Sequence, residues 1–267
     1  MALNVAELDI SDLDMAAADT AVIPDLRKSA ILLDIDGTIL DLAPAPQEVW
    51  VPPDLRQTLS RLHDLTGGAV ALVSGRALKD IDVIFSPLQL PAIGGHGAEL
   101  RAAPGRKPVR NATVLNTELR RKLASVTELG PGILAEDKGY SLALHYRLAP
   151  DKAEAVLAAV AAICAEAPAN SVDMLPGKMV IEIKRTGINK AMAVAELMTH
   201  APFSERNPIF IGDDTTDEPV FGVLPKFGGI GFSVGRIVPD ANGHFDKPER
   251  VRSWLARIAD EGEGAAE

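Results

Sequence analysis

The sequence predicts an α/β protein: a Rossmann-like parallel sheet with a smaller α+β unit inserted into it. Three observations carry that expectation. Short apolar runs at Ala30–Leu33, Ala69–Val73 and Pro208–Ile211 are too brief for helices and suit strands buried on both faces. Each run delivers polar residues at its carboxyl end: Asp34 and Asp36, then Ser74, then Asp213 and Asp214. Helical patterns alternate with the runs, and in such sheets ligands bind outside the carboxyl ends of the strands.

Composition narrows the function. The chain has 267 residues, 47% of them apolar, enough for one large domain or two modest ones. No apolar stretch is long enough to span a bilayer, and the N-terminus lacks the basic-then-apolar pattern of a secretory signal. Net charge is −10 with no dense basic run, so neither nucleic acid nor an anionic membrane is an expected partner. The single Cys164 lies in an Ala-rich helical pattern, excludes an intrachain disulfide and makes a cytoplasmic home the expectation.

Residues 1–28 form an acidic N-terminal extension in which Glu7, Asp9, Asp12, Asp14, Asp19 and Asp25 precede Arg27; a loosely ordered lead-in or short surface helix is expected. The first strand then ends at Asp34-Ile35-Asp36-Gly37-Thr38. Residues two apart in extended backbone point the same way, so the two carboxylates are expected to face one spot. Like charges so placed need a cation between them or a retained proton. Either outcome suits a carboxylate nucleophile on a metal, with the second carboxyl as acid and base. A plain β-turn would account for Asp36-Gly37 but not for Asp34 at the end of an apolar strand.

Leu42–Pro53 is Pro-rich and reads as an extended loop. Leu55, Leu59, Leu62 and Leu65 then mark a helix opened by Asp54 and ended by Gly67-Gly68. The next strand leads to Ser74-Gly75-Arg76 and a helix over Ala77–Phe85. A hydroxyl there suits an anion site, and it equally suits a helix cap; its place on the same sheet edge as Asp34 favours the former. Pro91–Arg101 is a third strand or strand-edge loop, with His96 either touching ligand or serving an ordinary turn.

The pattern changes near residue 101, and residues 101–185 read as an α+β cap between core segments 29–100 and 186–260. Asn116–Leu129 is an amphipathic helix, Gly132–Leu148 a hairpin, Asp151–Ala167 an Ala-rich helix and Asp173–Arg185 a strand pair. Met179, Ile181 and Ile183 fall on one face of that pair; Lys178, Val180, Glu182 and Lys184 fall on the other. With Glu136 and Lys138 they form a mixed-charge surface, either simply solvated or matched to sugar hydroxyls.

Back in the core, Asn189–Met198 starts a helix with Lys190 in its first turn, against the dipole preference. That points to a phosphate site if Lys190 is not merely a surface lysine. Gly212–Glu218 (GDDTTDE) follows the third apolar run. Helix capping needs one or two acids, not four, and clustered carboxylates at a strand end suit Mg²⁺. A glycine-rich segment over Phe227–Gly235 precedes a terminal helix over Pro248–Asp260 with Trp254 and Leu255 buried; residues 261–267 are expected to be a disordered tail.

No His/Cys set has zinc spacing, and neither a Gly-x-Ser-x-Gly elbow nor a Walker loop is present. Phosphoryl transfer fits what remains, because it needs positioning and charge neutralisation above all. On that reading Asp34 attacks phosphorus and Asp36 is acid and then base. Mg²⁺ sits on Asp34, Asp36 (through its carbonyl), Asp213 and Asp214, while Ser74 and Lys190 hold phosphate oxygens with Arg76 assisting.

The run Asp34–Thr38, Ser74 with Gly75-Arg76, Lys190, and Gly212–Glu218 resembles, in that order, the four motifs of the haloacid-dehalogenase-like phosphatases. Within them, His96–Glu99 (HGAE), Glu136–Arg147 (EDKGYSLALHYR) and Gly177–Lys184 (GKMVIEIK) resemble the trehalose-6-phosphate phosphatases. The resemblance implies a Mg²⁺-dependent phosphatase with a capped core, working through an aspartyl-phosphate on trehalose 6-phosphate. It further implies a cytoplasmic monomer linked functionally to a trehalose-phosphate synthase. Glu136, Lys138, Lys178 and Glu182 are similar to the family's sugar-gripping cap residues, and His96 and Arg147 lie in the same specificity stretches. Ala191 after Lys190 and Gly95 before His96 depart from the usual pattern. Two other readings compete: a related phosphatase of the sucrose-, mannosyl- or glucosyl-phosphoglycerate type, or a non-catalytic regulatory module that binds sugar phosphates.

Overall fold

The computed structural model describes residues 24–43, 48–110, 114–177 and 179–264; most of the acidic lead-in, and Lys178, lie outside them. The chain divides into two compact units, Met1–Val109 with Asn189–Glu267, and Arg110–Ile188. Residue 101 falls inside the first unit, because Glu99–Arg101 pairs with Ala92–Gly94 and Asp82 accepts two Arg101 N–H groups at 2.7 Å.

In chain order the elements are β1 (Ser29–Leu33), α1 (Pro53–Leu65), β2 (Val70–Val73), α2 (Leu78–Phe85), β3 (Ala92–Gly94), β4 (Glu99–Arg101) and β5 (Val109–Arg110). The second unit holds α3 (Thr117–Ala124), β6 (Leu134–Asp137), β7 (Ser141–His145), α4 (Ala153–Ala165), β8 (Val172–Gly177) and β9 (Val180–Arg185). The chain then continues through α5 (Lys190–Leu197), β10 (Asn207–Gly212), α6 (Glu218–Phe221), β11 (Ile230–Val234), β12 (Gly243–Phe245) and α7 (Pro248–Gly264).

The first sheet has the order β12-β11-β10-β1-β2-β3-β4-β5. Its strands are parallel from β12 to β3, and β4 turns back antiparallel. Successive residues of β1 point to opposite faces, and both faces are covered: Ile31 and Leu33 join one apolar cluster, Ala30 and Leu32 the other. The first cluster includes Leu55, Leu59 and Leu62 of α1 and Trp254 and Leu255 of α7; the second includes Ala193, Val194 and Leu197 of α5. A strand covered on both sides must be apolar throughout, which is why these runs show no alternation. Among the described residues, no helix is long and apolar enough to cross a membrane.

Three elements depart from expectation. The glycine-rich stretch contains a core strand, β11, whose Phe232 lies 6.3 Å, ring centre to ring centre, from Trp254. The terminal helix continues to Gly264, so 261–264 are not a disordered tail; Arg61 holds Asp260 and Glu263 at 2.7 Å each. The lead-in is not wholly peripheral either, since Leu26 is buried in the first cluster.

The second unit is an antiparallel sheet, β6-β7-β9-β8, with α3 and α4 packed on one face. Leu142, Leu144, Ile181 and Ile183 meet Leu123, Val156 and Val160 of the helices. The intervening residues, Ser141, Ala143, Glu182 and Lys184, necessarily share the opposite face. Helix α3 is shorter than the predicted span because Ser125–Leu129 tightens into a 3₁₀ turn. Asn116 caps α3, accepting N–H bonds from Glu118 and Leu119.

Candidate active site

Strand register brings the site together. Leu33 of β1 lies level with Ile211 of β10 and Leu72 of β2, so the segments leaving these three strands emerge side by side at one sheet edge. Asp34 donates its N–H to the Ile211 carbonyl at 2.9 Å. Its carboxylate is buried: Lys190 Nζ lies 2.7 Å from Oδ1, and the Thr38 hydroxyl lies 3.1 Å from Oδ2. The same hydroxyl lies 3.1 Å from Asp213 Oδ1. With only one proton to give, it is shared between the two carboxylates.

Lys190 is not a surface lysine. It is 3% exposed, and its ammonium sits between Asp34 Oδ1 and Asp217 Oδ1, 2.7 Å from each. Asn189 caps α5 by accepting the Met192 N–H at 2.9 Å, which fixes the helix start from which Lys190 projects. Two glycines make the convergence possible. A Cβ on Gly37 would lie 2.1 Å from Asp213 Oδ2, and Gly37 also adopts φ +85°. A Cβ on Gly212 would lie 2.6 Å from the Asp217 carboxylate.

The acid–base balance of the cluster follows from burial and crowding. Burial, followed by the charges of Asp217 and Asp213, pushes the Asp34 carboxyl well above the usual range, against the pull of Lys190. Asp213 is raised by burial and by Asp217. Burial alone would lower Lys190, but Asp217 and Asp34 outweigh it and keep the ammonium charged. Ligand oxygens of Asp34, Asp213 and Asp217 lie within 4.8 Å of one another. Fully ionised, three carboxylates against one ammonium would leave two negative charges uncompensated. One divalent cation neutralises that excess, and all-oxygen donors suit a hard ion such as Mg²⁺.

Asp217, fully buried, is the residue that sequence reasoning missed. Asp214, expected as a ligand, is exposed and turned elsewhere: its carboxylate accepts the Thr215 N–H at 2.7 Å and lies 3.3 Å from the Thr216 hydroxyl. The Asp34 and Asp36 carboxylates have different partners and do not meet at one spot. β1 ends at Leu33, the alternation stops, and Asp36 is gripped by Arg76, with Nε 2.6 Å from Oδ2 and Nη2 2.7 Å from Oδ1. Arg76 thus serves Asp36 in this geometry.

Ser74 is buried and accepts the Arg76 N–H at 3.1 Å. It is not the cap of α2, whose N-cap is Ala77; the Leu78 N–H is taken by Glu99 at 2.9 Å. His96 adopts φ 53° and donates its N–H to the Ser74 carbonyl at 3.0 Å. Its ring occupies the space where a Gly75 Cβ would lie, 2.4 Å away. His96 therefore shapes the loop that presents Ser74.

In the second unit, Glu136, Ala143 and Glu182 are level across β6, β7 and β9. Glu182 accepts from the Ser141 hydroxyl at 2.5 Å and from Lys138 Nζ at 3.4 Å. Glu136 Oε2 lies 3.1 Å from His145 Nε2. Lys184 is buried and donates to the Ile188 carbonyl. Arg147 is exposed beyond the end of β7, and Lys178 lies outside the described residues. The sheet face thus carries paired donors and acceptors on a rigid support.

A family model described as trehalose-phosphatase matches residues 32–244. A Sinorhizobium fredii protein named "probable trehalose-phosphate phosphatase" is 41% identical over 243 residues, 90% of this chain and 91% of that one. The Escherichia coli K12 trehalose-6-phosphate phosphatase is 35% identical over 237 residues, 88% of each chain. Among solved structures, the C-terminal domain of the Candida albicans trehalose-6-phosphate phosphatase superposes with a TM-score of 0.72 at 21% identity, over 88% of this chain and 92% of that one. A trehalose-6-phosphate phosphatase related protein gives 0.63 at 24%, over 88% and 99%. These two show a shared fold.

Proposed function

Because the chain belongs to the trehalose-phosphatase family and is thereby a phosphoric monoester hydrolase, we propose that it converts trehalose 6-phosphate to trehalose and phosphate through a phosphorylated Asp34. The observation that carries this reading is the Asp34 carboxylate itself, buried, flanked by Lys190 and sharing Thr38 with Asp213. A purely binding module has no use for a nucleophile held this way.

Asp34, Asp213 and Asp217 would hold Mg²⁺, with the Asp36 carbonyl completing the protein ligands; the ion would neutralise the cluster and the charge of the phosphoryl oxygens. Lys190 and Ser74 bind phosphate oxygens and align the ester with Asp34. An Asp34 oxygen attacks phosphorus, and the phosphorus–oxygen bond to the sugar breaks. Asp36 gives its proton to the departing sugar oxygen. It then takes a proton from the water that attacks phosphorus, which frees Asp34 and releases phosphate. Arg76 fixes the Asp36 carboxyl for both transfers. Glu136, Lys138, Lys178 and Glu182 recognise the disaccharide hydroxyls. The enzyme acts as a cytoplasmic monomer on the product of a trehalose-phosphate synthase.

Phosphate release from trehalose 6-phosphate, set beside sucrose 6-phosphate and the mannosyl- and glucosyl-phosphoglycerate phosphates, tests the substrate. A clear preference for trehalose 6-phosphate is expected; equal rates across the panel would remove the substrate while leaving the phosphatase. Glu182→Ala should lower kcat/KM for trehalose 6-phosphate about 10- to 100-fold and leave an aryl phosphate nearly unchanged, since loss of a buried hydrogen-bonding acceptor is worth about 1–3 kcal/mol. Equal losses on both substrates would show that Glu182 is structural.

Mg²⁺ at about 100 times its Kd should stabilise the protein by about 2.7 kcal/mol, and chelation should abolish turnover reversibly. The sign with pH is fixed by the raised carboxyls. A carboxyl whose folded pKa is raised keeps a proton that the unfolded chain has already lost, so stability falls as pH climbs from the unfolded pKa towards the folded one and levels off above it. The metal-free protein therefore loses stability as pH rises above the usual carboxylate range, and the Mg²⁺-induced rise in Tm grows over the same interval. A constant shift would contradict this placement of the metal.

A further inference from the structure

Arg236 follows β11 and does not belong to any of the motifs discussed above. Its Nε donates to the Asp213 carbonyl at 2.8 Å, and its Nη1 donates to Glu218 Oε1 at 2.7 Å. One guanidinium thus ties the first acidic residue of the Gly212–Glu218 turn to the last. The arginine is itself anchored, because the buried Ser233 hydroxyl donates to the Arg236 carbonyl at 2.6 Å, and Ser233 is level with Gly212 across β10 and β11. The Asp213 carbonyl and the Asp214 N–H belong to a single planar peptide and point in opposite directions. The N–H is taken by Asp217 Oδ2 at 3.0 Å. Arg236 and Asp217 therefore hold the same peptide from its two sides. This is the peptide from which the Asp213 carboxylate projects, and the bond to Asp217 orients a second member of the cluster.

We propose that Arg236 is a positioning residue for the divalent-cation site: it locks the Asp213–Asp214 peptide so that the Asp213 and Asp217 carboxylates are presented together. This inference rests on the assignment of that cluster as the Mg²⁺ site. A positive charge near a cation site works against the cation, so charge and positioning make opposite predictions. Deleting the charge alone tightens Mg²⁺ binding; releasing the peptide loosens it.

Calorimetric titration of Mg²⁺ into the substrate-free wild-type and Arg236→Gln proteins measures the difference, alongside Tm in chelator. Arg236→Gln should weaken Mg²⁺ binding about 10- to 100-fold while Tm in chelator stays close to wild type. Arg236→Lys should recover only part of the affinity despite keeping the charge, because one ammonium cannot reproduce the fork that reaches both partners. Unchanged or tighter binding in Arg236→Gln would overturn the proposal, as would full recovery in Arg236→Lys. If Arg236→Gln does not fold, Glu218→Gln, which keeps the bond to the Asp213 carbonyl, should weaken binding less than Arg236→Lys; an equal or greater loss would overturn it. Wild-type protein that binds no Mg²⁺ would instead remove the metal assignment itself.

Discussion

Asp34→Asn is expected to lower kcat for trehalose 6-phosphate by on the order of 10⁴–10⁶ with KM little changed, as removal of a nucleophile does in covalent catalysis. The substitution keeps shape and removes one of the crowded buried charges, so the fold should survive. The loss would have to be chemical. An aspartate that merely held the metal would behave differently, because raising Mg²⁺ would then restore much of the rate. No rescue by Mg²⁺ is expected. The check is steady-state kinetics at rising Mg²⁺, together with Tm in chelator; recovery to within tenfold of wild type would contradict Asp34 as nucleophile.

Lys190→Met should be the most destabilising single change at the site. It leaves Asp34 and Asp217 buried without their shared cation, where the ammonium had been 2.7 Å from each. Removing one partner of a buried ion pair typically costs about 3–5 kcal/mol, read as a fall in the denaturant midpoint. Turnover should be lost as well. Adding Asp217→Asn should recover part of the stability but none of the activity, because one of the two unpaired charges disappears. A double variant no more stable than Lys190→Met would show that crowding of these carboxylates is not what the lysine relieves.

Much of the site was legible because parallel sheets put chemistry at strand ends. Apolar runs followed at once by Asp34, Ser74 and Asp213 fixed which edge mattered, and the register of β10, β1 and β2 makes those positions neighbours. What escaped depended on the path of a turn. In Gly212–Glu218 the acids at 214 and 217 look equivalent as letters. Asp214 folds back on the two threonines after it, the ordinary habit of an Asp in a turn. Asp217 sits at the N-cap of α6, just before Glu218-Pro219, with its carboxylate packed under Gly212. A close glycine–aspartate spacing ahead of Glu-Pro was the available signal. Lys190 was ambiguous for a different reason: a first-turn lysine is ordinary on a surface, and only burial between two carboxylates shows why it is there. The capping of α2 by Glu99, 21 positions away, was beyond any local pattern. β11 was hidden because its glycines read as loop, although Phe232 packs toward Trp254.

The central claim is that the phosphoryl group passes to Asp34. Turnover of trehalose 6-phosphate with Mg²⁺ can be quenched in acid, the protein digested, and the peptide spanning Asp34 weighed before and after hydroxylamine. The mass of one phosphoryl group on that peptide, lost with hydroxylamine and absent in Asp34→Asn, is the expected result. A peptide that stays unmodified at every quench time, while phosphate accumulates in solution, would mean that water attacks the ester directly.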